Sequence, residues 1–182
     1  MAKKNIDPIP ALLPLPAVLA SCEHEEKRSI ITLAWVGVIS SKPPRLGLGI
    51  QSRRYSYDLI AQSGEFGVNL VDSSLTEAVH VCGSKSGRDI DKFNHLNLTP
   101  QKGEKISAPL IKEAPVSLEC KLEKLVELEG THDLFIGEVV NVWAEEKILN
   151  SRGGIDPEKA DIITFGGGKY WSWGPFLEPR KS

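Results

Sequence analysis

Arg53 and Arg54 stand immediately before Tyr55 to Gly64, a segment whose pattern predicts a short helix with Ser56 as candidate N-cap and Gly64 as its stop. A helix start presents unpaired backbone N–H groups and a partial positive charge, and guanidinium groups add charge-assisted hydrogen bonds, so the arrangement suits a phosphate. The same residues are equally a solvated pair beside an ordinary cap. Their neighbourhood favours the first reading. In RLGLGIQS, which directly precedes them, Leu46, Leu48 and Ile50 share one strand face while Gly47 and Gly49 leave the other bare. A flat ring could lie against that backbone with a phosphate tail at the helix start.

Other combinations carry less. Gly47-Leu48-Gly49 lacks the third glycine of a dinucleotide fingerprint and sits inside a strand. Gly83 to Arg88, GSKSGR, lacks the P-loop spacing and reads as a polar loop. Glu77 and His80 have the i to i+3 spacing of a di-iron helix, but the further carboxylates and histidines of such a site are missing, and no metal site is expected. The four histidines and scattered serines form no triad legible in sequence, so no catalytic side chain is assigned.

The elements that must position these residues read as strands with a few short helices. A proline-rich lead passes into a strand at Ala17 to Ser21. Ser29 to Ile39, SIITLAWVGVI, is almost wholly apolar and predicts a central strand buried on both faces. Pro43-Pro44 marks a turn, and Phe66 to Val71 a strand. Ser74 and Glu77 form a capping-box pair opening a second helix toward Gly83, and a polar loop from Ser84 to Asp91 leads to a turn at Lys92 and Phe93. Val116, Leu118, Cys120, Leu122, Val126 and Leu128 keep one parity, broken at Lys124, and predict a half-buried strand over 115–129. Leu134 to Ala144 is apolar on both faces, which hints at a subunit contact as well as a core. Strands at hairpin spacing argue for a barrel rather than a doubly wound sheet.

Composition bounds the function. The chain of 182 residues, 41% hydrophobic, suits one domain, divided here into a 1–15 N-terminal extension and a 16–182 domain. A net charge of -2 gives no field for nucleic acid or an anionic membrane, and neither is expected as a partner. Cys22, Cys82 and Cys120 lie far apart without metal-ligand spacing, so reduced thiols in a cytoplasm are the simplest expectation. Pro8, Pro10, Pro14 and Pro16 interrupt the early apolar stretch and argue against a lipoprotein signal ending at Cys22.

The run SIITLAWVGVISSKPPRLGLGIQSRRYSYDLIAQSGEFGVNL resembles the flavin reductase-like family's succession of a Thr/Trp strand, Pro-Pro turn, strand, Arg-x-Ser/Thr element, helix and glycine-aromatic-Val-Asn-Leu strand. The loop SGRDIDKF, the strand SLEC and the strand FIGEVV, after Gly130 and His132, follow in the family's order. The resemblance covers residues 16–175. It implies a mainly β split barrel, a homodimer, and flavin mononucleotide (FMN) near the dimer interface. It implies an FMN-dependent oxidoreductase taking electrons from NADH or NADPH to flavin or a redox protein acceptor, or else a flavoredoxin-like electron carrier. Residue by residue, it places Thr32, Leu33, Ala34 and Trp35 along the isoalloxazine and Gln51, Ser52, Arg53 and Ser56 at the ribityl and phosphate, beside the Arg54 guanidinium already singled out. Ser84, Lys85 and Lys92 fall in a loop over the cofactor. Ser29 stands where many relatives carry asparagine, and Ser56 where threonine is commoner. Tyr170, Trp171 and Trp173 match a terminal aromatic segment, with packing across the barrel or dimer seam as the expected role.

Overall fold

The computed structural model describes residues 1–174. The last eight residues of the expected 16–182 domain, and the final residue of the resemblance, lie outside them. In chain order the elements are β1 (Leu15–Pro16), β2 (Val18–His24), β3 (Lys27–Leu33), β4 (Val36–Ser41), β5 (Pro44–Ile50), α1 (Tyr55–Ser63), β6 (Glu65–Leu70), α2 (Thr76–Ser84) and α3 (Lys92–His95). There follow β7 (Pro100–Gln101), β8 (Leu110–Ile111), β9 (Val116–Val126), β10 (Asp133–Ala144), α4 (Pro157–Ala160), β11 (Ile163–Gly166) and β12 (Lys169–Ser172). The described residues are mainly β with four short α-helices, a split-barrel architecture.

Seven antiparallel strands run in the order β3-β2-β6-β9-β10-β5-β4. β3 and β4 occupy opposite edges of this sheet, yet only Ala34 and Trp35 separate them in sequence. A two-residue link reaches about 11 Å at most, so the sheet must curl until its edges meet. The Gly49 N–H bonds the Trp35 carbonyl at 2.8 Å, extending the β4–β5 pairing into that link. Val18, Ala20, Cys22, Ile31, Leu48, Phe66 and Phe135 fill the interior. On the outside of β2 and β3, Leu19 and Ile30 join Val79 of α2 and Phe93 of α3 in a second core.

Four expectations are corrected. Ser29 to Ile39 is two strands, not one: the chain breaks at Ala34-Trp35 to cross the closure, and β4 is an edge strand with Val38 77% and Ile39 53% exposed. The central strand buried on both faces is β2. The parity break in β9 is a β-bulge, with Ile136 opposite Lys124 but Gly137 opposite Leu122, so Leu122 and Leu125 both pack into the barrel while Leu128 lies exposed beyond the strand. The cap of α1 is Arg54, whose carbonyl takes the Tyr57 N–H at 3.0 Å, while Ser56 is its buried second residue. No capping box opens α2; Asp72 instead accepts the Ser74 N–H, starting a 3-10 turn ahead of the helix.

The described residues contain no helix long and apolar enough to cross a membrane. Tyr170 packs against the second core beside Phe165, whereas Trp171 and Trp173 are exposed.

Candidate functional site

The turn after β5, the start of α1, the loop between α2 and α3, and the outer part of β3 converge on one cleft made of two adjoining cavities. The first, about 220 Å3, is lined by Ser29, Ile31, Arg53, Arg54, Tyr55, Ser56, Cys82, Lys85, Ser86, Gly87 and Lys92. The second, about 140 Å3, is lined by Ile31, Thr32, Leu33, Ala34, Trp35, Gly49, Gln51, Arg54 and His132. Ile31 and Arg54 belong to both walls, so the cleft has a polar, cationic end and an end bordered by the β3–β4 crossing.

The cationic end holds groups that are costly to bury alone. Lys92 is 4% exposed and donates only to the carbonyls of Ile30 at 2.7 Å and Cys82 at 2.9 Å; no carboxylate pairs with it among the described residues. Burial, and after it the Arg54 charge, lowers its pKa, while the Cys82 and Cys22 thiols act the other way. Ser29 is 2% exposed, and its hydroxyl is buried without a hydrogen-bond partner among the described residues. A buried polar group in that state is unfavourable unless something completes its bonds. Beside both, α1 begins on Arg54 with no side chain capping its amides. Unpaired ammonium, unpaired hydroxyl and open helix start all ask for an anionic oxygen acceptor.

At the other end, His132 stacks obliquely on Trp35 with centroids 3.9 Å apart. Burial and the Arg54 and Arg53 charges lower its pKa, favouring the neutral ring. The Thr32 hydroxyl is committed to the Val79 carbonyl at 2.6 Å, and Gln51 accepts the Arg53 Nε–H at 2.9 Å.

The model describing the flavin reductase like domain matches residues 11–160. The chain belongs to the flavin reductase-like family. A protein of Archaeoglobus fulgidus is 38% identical over 141 residues, 78% of this chain and 79% of its own. The flavoredoxin of Desulfovibrio vulgaris (Miyazaki F) superposes with a TM-score of 0.91 at 30% identity, over 100% of this chain and 98% of that one. An FMN-binding protein from Thermus thermophilus superposes at 0.83 and 25% identity, over 98% and 99%.

For this flavin reductase-like chain, most of the expected site residues fall on one cleft. Ser29, Arg53, Arg54, Ser56, Lys85 and Lys92 line its cationic end, and Thr32, Leu33, Ala34, Trp35 and Gln51 the other. Two do not line it: Ser52 lies in the exposed turn before α1, and the Ser84 hydroxyl bonds the His80 carbonyl of its own helix at 2.9 Å. The glycine face of β5 is also less bare than expected. A Cβ at Gly47 would meet Ile39 Cδ1 at 2.9 Å and Leu134 Cδ1 at 3.1 Å, and one at Gly49 would meet Trp35 Cβ at 3.2 Å. The close neighbour is the chain itself, because the barrel closure lays Trp35 and Ile39 there; only Gly49 borders the cleft. Ile31, Tyr55, Cys82, Ser86, Gly87 and His132 are wall residues that the sequence reading leaves out of the site. Gly87 carried a signal in GSKSGR, but one legible only once the loop is folded against α1.

Proposed function

We propose that the cleft binds FMN and that the chain is an FMN-dependent oxidoreductase, taking a hydride from NADH or NADPH and passing electrons to free flavin or a redox protein. The observation that carries this is the buried Ser29 hydroxyl and Lys92 ammonium, both lacking an anionic partner, beside the uncapped start of α1. Arg53, Arg54, Lys85 and the α1 amides would hold the phosphate with them. Gln51 and the backbone of Thr32 to Trp35, at the β3–β4 crossing, would border the ring. When bound, FMN supplies hydride acceptance and electron donation, so the chain need contribute no nucleophile. Its residues bind, orient and limit water at the ring's edge. We further propose a cytoplasmic homodimer, in keeping with three buried, unpaired cysteines.

A second reading is an electron carrier reduced by another protein, favoured by the end-to-end match to a flavoredoxin. Purified protein loaded with FMN and mixed anaerobically with NADH or NADPH distinguishes the two. The reductase reading expects bleaching of the flavin absorbance near 450 nm; a stable oxidised spectrum with both nucleotides overturns it and leaves the carrier. Protein that retains no FMN on gel filtration overturns both.

A further inference from the structure

The cationic end of the cleft is closed on its far side by Tyr55 and Gly87, and one residue of the α2–α3 loop ties the two segments together. Arg88 crosses to α1 and makes three contacts there: its guanidinium donates to the Arg53 carbonyl at 3.1 Å and to the Asp58 carboxylate at 3.1 Å, and lies 5.1 Å from the centre of the Tyr55 ring. Gly87, pulled in beside it, sits so close that a Cβ would overlap Ser29 Oγ and meet Tyr55 Cδ1 at 2.8 Å. Tyr55 and Gly87 thus form a partition. Behind it lies a third cavity of about 480 Å3, which shares those two residues and is otherwise lined by Ile90 and by charged side chains of both signs, Glu23, Glu26, Asp89 and Asp91 as well as Lys27, Arg28 and Arg88. Opening the loop would merge the two spaces; the Arg88 contacts keep them apart.

We propose that Arg88 is a latch holding loop 85–91 against α1, and that the latched loop makes the phosphate pocket a blind end that accepts a flavin ending in a phosphate monoester and refuses a flavin dinucleotide. The inference rests on the flavin reading given above. Chemistry and shape agree. A monoester offers three free oxygens and close to two charges to Ser29, Lys92, Arg53 and Arg54, whereas the first phosphate of a dinucleotide spends one oxygen on a bridge and carries a single charge. The bridge and the adenylate beyond it would have to pass where Tyr55 and Gly87 stand. Each Arg88 contact is modest, the ion pair with Asp58 being half exposed, so the latch can release on the timescale of loop motion. It then governs how fast the bound mononucleotide leaves.

The test is equilibrium and stopped-flow binding of FMN, FAD and riboflavin to the full chain and three variants. Arg88→Ala removes the latch, Asp58→Asn weakens it from outside the cleft, and Gly87→Ala wedges the loop off Ser29 and Tyr55. Arg88 and Asp58 are surface residues, so their variants fold, which unchanged thermal melts establish. Wild type is expected to prefer FMN to FAD by tenfold or more, on the order of 1.4 kcal/mol. Arg88→Ala should release FMN roughly tenfold faster and bring FAD within a few fold of FMN, with Asp58→Asn shifted the same way by less and riboflavin affinity unmoved. Wild type binding FAD as tightly as FMN, or an Arg88→Ala protein with the wild-type FMN off-rate and FMN/FAD ratio, overturns the latch while leaving the flavin site standing. A wild type that binds none of the three overturns both.

Discussion

Lys92 shows how a single buried residue states what its site is for. An ammonium surrounded by carbonyls and thiols is poorly compensated, and its lowered pKa records that cost. In the unfolded chain the same group keeps its proton to about pH 10.4, so between its lowered folded value and that limit the unfolded state binds more protons. The contribution of Lys92 to the stability of the unliganded protein should therefore become more favourable as pH climbs through this window, against the opposite contribution of the buried Cys22, Cys82 and Cys120 thiols, whose pKa values burial raises, while FMN affinity falls as Lys92 discharges. Across alkaline pH, chemical denaturation should show the stability difference between wild type and Lys92→Met shifting in favour of wild type, and flavin titration should show wild type losing FMN affinity where Lys92→Met does not. At neutral pH that variant is expected to lose about 1.5–3 kcal/mol of FMN binding, the range for a hydrogen bond to a charged group, with riboflavin affinity unchanged. Equal losses for FMN and riboflavin would show that Lys92 shapes the cleft without touching a phosphate. None of this was legible from residue types: Lys92 entered the sequence reading through resemblance, because burial without a counter-ion is a property of the fold.

Among the elements, β9 does most to hold the surroundings of the site in register, and its sequence was only half readable. The alternation of Val116, Leu118 and Cys120 gave the barrel face correctly, but the opposite face is also buried and carries Ser117 and Glu119. Glu119 is fully buried and accepts the N–H groups of Glu104, Lys105 and Ile106, the Asn141 amide and the Trp143 indole, all within 3.0 Å. These donors outweigh burial and hold its pKa down to about 2. A glutamate at a strand position reads as solvent-facing until the 102–106 loop folds over it, which is why periodicity missed it. With the folded value below the ordinary glutamate value, its stabilisation is complete above about pH 4.5 and is lost as pH falls toward 2. Glu119→Gln replaces one acceptor oxygen with an amide N–H donor inside a ring of donors and should cost roughly 2–4 kcal/mol at pH 7. Urea unfolding should show that gap narrowing from pH 5 to pH 3, and a gap independent of pH would mean that the charge is not what pins the loop. Where hydrogen bonding was local the reading did better: Gly64 ends α1 in the left-handed conformation, at φ 69°, as its position suggested.

On the scale of the whole molecule, the barrel class followed from strand number and hairpin spacing, but the event that makes it a barrel, the crossing at Ala34-Trp35, was invisible because Ser29 to Ile39 is almost wholly apolar and rich in β-branched residues, with no proline or polar turn residue at the break. That crossing leaves β4 as an edge strand with its outer hydrogen-bonding side unpaired and with Val38 and Ile39 in solvent, while Val142 of β10 is 49% exposed on the same sheet. An apolar edge strand is a pairing hazard that a stable monomer covers with charge or proline. Here it stands next to the ring end of the cleft, since Trp35, itself 45% exposed, lies one residue before β4. A homodimer formed over this surface would bury the edge and screen the cleft from water at one stroke. Val38→Glu combined with Ile39→Lys should then convert a dimer into a folded monomer in sedimentation velocity. The same variant should bind FMN more weakly although no phosphate contact has been altered. If it remains dimeric, the contact lies elsewhere on the molecule; if it becomes monomeric with undiminished FMN affinity, each barrel carries a complete flavin site by itself.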